Sequence, residues 1–134
     1  MSLFVDTSVW SLALRRDGAS AEPLVLLLSD ALAQGRDVLT TGLVVQELLQ
    51  GFTGPKARKA IIDRFRHLPM LVPTREDHVQ AAELRNRCRR KGVQVGTIDA
   101  LIAQLCLRYE LALLTTDHDF AHMAQIIPIQ LARP

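Results

Sequence analysis

Four acidic side chains, Asp6, Glu47, Asp99 and Asp117, stand in settings where an acid needs a reason. Asp6 follows the apolar run Leu3-Phe4-Val5, and Asp117 follows the stretch from Leu111 to Thr116. Both therefore sit just past a candidate strand. A loop Asp beside Thr or Ser also forms turns or caps helices through its short oxygen, so for Asp6 the structural and the chemical reading both stand. Asp99 lies early in Thr97-Ile98-Asp99-Ala100-Leu101-Ile102-Ala103, where Thr97 offers an N-cap and the helix dipole alone would favour an acid. Glu47 has no such reason. It interrupts Leu43-Val44-Val45-Gln46-Glu47-Leu48-Leu49, whose flanking turns are both apolar.

Gathering carboxylates is unfavourable, because like charges raise one another's pKa and oppose folding. A chain that gathers them usually supplies a cation. All-oxygen ligands without His or Cys favour Mg²⁺ or Mn²⁺ over zinc. Such an ion activates a water and steadies charge on a phosphate oxygen; two ions, roughly 3.5–4 Å apart, clamp the attacking and leaving oxygens. The residues by themselves point to a divalent-metal phosphodiester site.

The elements that must position these acids alternate between strand and helix. Leu3–Val5 predicts a buried strand, and Ser8 to about Arg15 a helix. Glu22–Gln34 predicts a leucine-rich helix with Pro23 in its first turn and Gly35 as its C-terminal cap. A strand over Asp37–Thr40 leads to a helix over Gly42–Gln50, ended by Gly51. Pro55–His67 predicts a helix that is basic on one side and carries Ala60, Ile61 and Phe65 on the other. A short strand at Met70–Val72 precedes a long helix, Glu76–Lys91, stopped by Gly92. Ile98–Arg108 is helical and feeds the strand Leu111–Thr115. A helical turn at Ala121–Gln125 and a last strand at Ile126–Leu131, placed at an edge by Pro128, complete the pattern. Arg15–Ala21 reads as a loop. The alternation predicts a three-layer α/β/α sandwich around a mostly parallel sheet, one domain over residues 1–134. In such sheets ligands gather beyond the carboxyl ends of the strands, where Asp6 and Asp117 would project together.

Composition narrows the class. Of the 134 residues, 49% are hydrophobic and 22% charged, which excludes a disordered chain. Cys88 and Cys106 lack CxxC spacing and are expected to pack as small apolar groups in a reducing compartment. The N-terminus lacks a signal-peptide pattern, and Leu24–Leu28 is far short of the ~20 residues of a membrane helix. A cytoplasmic protein is expected. A net charge of +2 announces no partner. Its distribution says more, with Lys56, Arg58, Lys59, Arg64 and Arg66 in one segment and Arg85, Arg87, Arg89, Arg90 and Lys91 in another. Each run also reads as a solvated helix face, but two of them favour a polyanion.

Four fragments, in order, resemble the PIN-domain nucleases, specifically the VapC-type toxins of bacterial toxin–antitoxin modules. They are Val5-Asp6-Thr7-Ser8-Val9-Trp10, Val45-Gln46-Glu47-Leu48-Leu49-Gln50-Gly51, Gly96-Thr97-Ile98-Asp99-Ala100-Leu101-Ile102-Ala103 and Leu114-Thr115-Thr116-Asp117-His118-Asp119-Phe120. The resemblance implies RNA cleavage by a Mg²⁺- or Mn²⁺-dependent phosphodiesterase. Asp6, Asp99 and Asp117 would hold the metal, with Glu47 as a further ligand or water-orienting base. Asp119 matches an acidic position near the fourth motif, and Thr7, Ser8 and Thr115 would orient carboxylates or metal-bound water. It also implies a cognate antitoxin of the VapB type across the acidic groove, and a homodimer. The fourth motif often carries Asn where this chain has Asp117, which leaves the role of that residue open.

Other readings compete. His118 and His122, four apart, lack a third nitrogen or sulfur ligand for zinc. Trp10 could stack on a base, but Val9, Leu12 and Leu14 around it favour the core. Arg85, Arg89 and Arg90 are candidates for phosphate contacts, against a plain solvated face. A phosphatase would want a second Asp two residues after the first, where Ser8 stands. A PIN-like module that binds without cutting would have lost acids that are all present here.

Overall fold

A computed structural model describes residues 1–15 and 22–134. Five strands, β1 (Leu3–Val5), β2 (Val38–Thr41), β3 (Met70–Leu71), β4 (Ala112–Leu114) and β5 (Gln130–Leu131), form one sheet in the order β3-β2-β1-β4-β5. Every strand pair is parallel. The central strands β1 and β4 are buried at every position, because a parallel sheet covered on both faces leaves no side for polar residues. Their register is fixed, with Val5 opposite Leu114. The chain leaves β1 toward β2 and β3, then returns on the other side through β4 and β5. That reversal opens a crevice beyond the carboxyl ends of β1 and β4.

Among the described residues seven helices flank the sheet in the three-layer arrangement. They are α1 (Thr7–Leu14), α2 (Pro23–Ala33), α3 (Gly42–Gly51), α4 (Pro55–Phe65), α5 (Arg75–Arg90), α6 (Thr97–Arg108) and α7 (His118–Ala124). Local chemistry sets their ends. The Thr74 hydroxyl and the Asp77 carboxylate form a reciprocal capping box that starts α5. Gly35 and Gly92 adopt φ of 70° and 82° just past α2 and α5. In each case the following amide reaches back into the helix, Arg36 to the Ala31 carbonyl and Val93 to the Cys88 carbonyl, both at 2.9 Å. The buried Asp77 also accepts a 2.6 Å ion pair from Arg108 Nη1 and a bond from Gln104, tying the start of α5 to the end of α6. These two helices are therefore antiparallel.

Several boundaries differ from the sequence expectation. Gly51 is the last residue of α3, and the helix ends at Phe52. Gly96, not Thr97, caps α6, and Thr97 is its first residue. The last helix starts at His118 rather than Ala121, because the Asp117 side chain accepts the Asp119 amide and nucleates it earlier. The final strand shrinks to two residues. Ile126 and Ile127 donate to the Met123 carbonyl as a turn, and Pro128 has no N–H to extend a ladder. Ile127 and Ile129 still enter the core. Ala60 is exposed on α4, while Ile61 and Phe65 are buried. In α2, Val25, Leu28 and Ala31 are buried, and Leu24, Leu27 and Leu32 pack against them. Of the expected loop at Arg15–Ala21, residues 16–21 lie outside the described residues.

Trp10 is buried and packs on Phe65 with ring centroids 4.7 Å apart. Both cysteines are buried and unpaired, and burial together with Asp6 pushes the Cys106 thiol up to about 12. Among the described residues no helix is long and apolar enough to cross a membrane.

Candidate metal and active site

Parallel pairing of β1 with β4 brings their carboxyl ends together, and the next residues of each strand enter the crevice. The Asp6 amide still belongs to the ladder, donating to the Leu114 carbonyl at 2.9 Å, so the backbone under its carboxylate is fixed. Two hydroxyls then fix the carboxylate. Ser8 Oγ and Thr115 Oγ1 both donate to Asp6 Oδ2, at 2.9 and 2.8 Å. The same hydroxyl oxygens accept from backbone amides of the fourth fragment: Ser8 Oγ from Thr116 and Thr115 Oγ1 from Asp117. Each hydroxyl thus serves as donor to an acid and acceptor from the backbone, which leaves it one orientation. Asp6 Oδ1 carries no protein donor among the described residues.

Glu47 reaches the crevice from the second turn of α3. Thr7 Oγ1, at the start of α1, donates to Glu47 Oε1 at 2.8 Å. Glu47 is half-buried; its neighbours Val44 and Leu48 turn into the core. Asp99 comes from the first turn of α6, a helix whose other positions are largely buried. Asp117 caps α7 and Asp119 lies in its first turn, so the short spacing folds both carboxylates to one side. Carboxylate oxygens of Asp99, Asp117 and Asp119 all lie within 4.8 Å of one another.

The electrostatics agree with the geometry. Burial, followed by the charges of Asp6, Asp117, Asp119 and Glu47, pushes the Asp99 carboxyl up to about 6. The other four acids therefore all bear on Asp99. Among the described residues, no Lys or Arg forms an ion pair with any of them. The other buried acid, Asp77, is different. Burial would raise its pKa, but bonds from Thr74 and Gln104 and the charge of Arg108 lower it on balance. That acid is explained by structure alone; the ring is not.

The placement differs in emphasis from the sequence reading. Asp119, expected only as a supporting residue, belongs to the tightest group, while Asp6 stands beside that group on its hydroxyl partners. The Asp-x-Asp spacing across a helix start was the available signal. His118 and His122 are exposed. Arg85 and Arg90 line separate cavities of about 430 and 320 Å³. Arg89 is exposed, and Arg85 Nε donates to the Val95 carbonyl at 2.8 Å.

The PIN domain family model matches residues 3–126, so the chain belongs to the PIN-domain family. No curated protein sequence matches it significantly. Among solved structures, the fold is similar to VapBC2 from Rickettsia felis bound to a promoter DNA fragment, with a TM-score of 0.77 at 20% identity over 98% of both chains. It is similar to FitAcB from Neisseria gonorrhoeae, with a TM-score of 0.72 at 19% identity over 98% of this chain and 97% of that one. It is also similar to VapC20 from Mycobacterium tuberculosis, described as a Sarcin-Ricin loop cleaving toxin, with a TM-score of 0.69 at 21% identity over 96% and 98%.

Proposed function

We propose that this chain is a Mg²⁺- or Mn²⁺-dependent endoribonuclease, the VapC-type toxin of a toxin–antitoxin pair. The observation that carries the metal-dependent reading is the convergence of five carboxylates, without a paired Lys or Arg among the described residues, on one sheet edge. A divalent ion fits this donor set, which is all oxygen and charged well beyond what the protein itself neutralises. Asp99 and Asp117 would hold it, with Asp6 through its undonated Oδ1, and Asp119 on the near side of the same group. When bound, the ion lowers the pKa of a water and neutralises charge that builds on phosphate oxygens.

The chain's own residues do the rest. Ser8 and Thr115 lock Asp6 so that one oxygen faces the crevice. Thr7 holds one oxygen of Glu47 and leaves the other to orient or deprotonate a water. RNA as substrate is supported by the family and by the similarity to an RNA-cleaving toxin. The similar complexes, VapBC2 and FitAcB, support an antitoxin partner. A homodimer is part of the same reading.

The test uses purified chain freed of any partner. It should cut RNA with Mg²⁺ or Mn²⁺ and stop with EDTA. Asp6→Asn and Asp99→Asn should each slow cleavage roughly 100-fold or more, the scale for losing a group that stabilises transition-state charge. Cleavage left intact in both variants would put the site elsewhere. Metal-dependent RNA binding without cutting would make the chain a binding module.

A further inference from the structure

We infer that Arg85 is a positioning residue for Asp99: its Nε–H holds the Val95 carbonyl and thereby sets where α6 begins. The inference rests on the metal-centre reading above, because it concerns how one acid of that centre is placed. Asp99 is the only acid of the ring carried by α6, so its position depends on the register and tilt of that helix start.

The body of α6 is anchored by the buried run Ala100–Ala103 and by the Ala100 amide, which donates to the Gly96 carbonyl at 3.0 Å; the residues ahead of Asp99 are held by fewer contacts. The N-cap is Gly96, which has no side chain with which to satisfy the first amides, and no side-chain cap is present. On one side lies a cavity of about 430 Å³ lined by Arg85, Leu43, Thr97 and Ile98 among others, so dense packing does not immobilise the first turn there. Ahead of the cap the anchors are Val95, buried, and the 2.8 Å bond from Arg85 to its carbonyl. Arg85 itself stands on a rigid base. The helix α5 is capped by Thr74 and Asp77 at one end and by Gly92 at the other, and Asp77 ties it to Arg108. The contact therefore transfers the fixed position of α5 to the residues that launch α6. A guanidinium bond to a carbonyl is charge-assisted and stronger than a neutral one.

The donor that matters is the Nε–H, and this makes the inference separable from a phosphate contact. Glutamine places its amide nitrogen the same number of bonds from Cα as the Nε of arginine. Arg85→Gln thus keeps the donor and removes the charge. Arg85→Met keeps the stem and removes both, and Arg85→Lys keeps the charge with its nitrogen one bond further out. The readouts are Mn²⁺ affinity of the metal-free protein by titration calorimetry, and kcat and KM for RNA cleavage. Arg85→Met should weaken Mn²⁺ binding about tenfold and lower kcat with KM little changed, whereas Arg85→Gln should stay within about threefold of the parent. If Arg85→Gln is impaired while Arg85→Lys matches the parent, the charge is what counts and the inference is overturned. Parent-like Mn²⁺ affinity in all three also overturns it. Should Arg85→Met fail to fold, the Gln and Lys variants still decide. Absence of Mn²⁺ binding in the parent would instead sink the metal-centre reading itself.

Discussion

Asp99 is the residue on which the ring acts as a whole, and its ionisation links function to stability. In the folded chain its carboxyl titrates near 6, raised first by burial and then by four neighbouring acids. In the unfolded chain it titrates near its ordinary value of about 4. A raised acid stabilises the fold when protonated, so this contribution is present below about pH 4 and is lost as pH rises through about 6. At neutral pH the metal-free protein therefore carries an unfavourable charge. Asp99→Asn should raise the stability of the chain in EDTA at pH 7.5, by on the order of 1–2 kcal/mol once partial solvent screening is allowed for. Urea unfolding at pH 7.5 and pH 4 checks this. The gap between parent and variant should narrow at the lower pH, and a variant less stable than the parent at pH 7.5 would refute the account. The same substitution should abolish cleavage, a separation that an ordinary core residue does not show.

Among the elements, the α5–α6 pair is where sequence-distant contacts are concentrated. Asp77 caps its own helix and reaches Arg108 and Gln104 across the interface. Its pKa is lowered despite burial, so its contribution to stability is present above the unfolded value of about 4 and is lost as pH falls through the folded one. Asp77→Asn should cost about 1–3 kcal/mol at pH 7, the range for a buried hydrogen-bonded acid that loses charged partners. Measured by urea unfolding, that cost should shrink below pH 4, and an unchanged midpoint at pH 7 would show that the bridge is dispensable. The pair also carries both determinants of the Asp99 position, the helix itself and the Arg85 bond to the preceding turn.

For the molecule as a whole, the strand order places β1 at the centre and the return crossing beside it. This is why acids far apart in the chain meet. The leucine-rich Glu22–Gln34 segment could offer an apolar face to a second copy. Most of that surface turns out to serve the chain's own core, leaving Leu26, 47% exposed, as the open leucine of α2. A dimer remains the expected state on the family reading. Sedimentation at micromolar concentration should give twice the mass of one chain, and a monomer mass would overturn it.

How much was legible in the sequence follows from how local each determinant is. The parallel α/β class, the central strands at Leu3–Val5 and Leu111–Thr115, and the glycine stops at Gly35 and Gly92 were readable, because hydrophobic period and φ preference act over a few residues. That Asp6 and Asp117 lie just past strand ends was readable, and Glu47 stood out by its apolar flanks. The early start of α7 was not, because it depends on a side-chain cap by a residue that also read as a site acid. Nor was the placement of Asp119 beside Asp99, which requires α6 and α7 to meet across the sheet edge. The hydroxyl partners of Asp6 came from the motif, but their double role as donors and acceptors needed β1 next to β4. Arg85 illustrates the boundary most plainly. The sequence offered it as one cation in a basic run, and only the folded pairing of α5 with the turn before α6 gave it the Val95 carbonyl as partner. Residue type and spacing determined which groups were available for chemistry; the tertiary structure decided which of them share a point in space, because Coulomb forces and hydrogen bonds act over ångströms rather than along the chain.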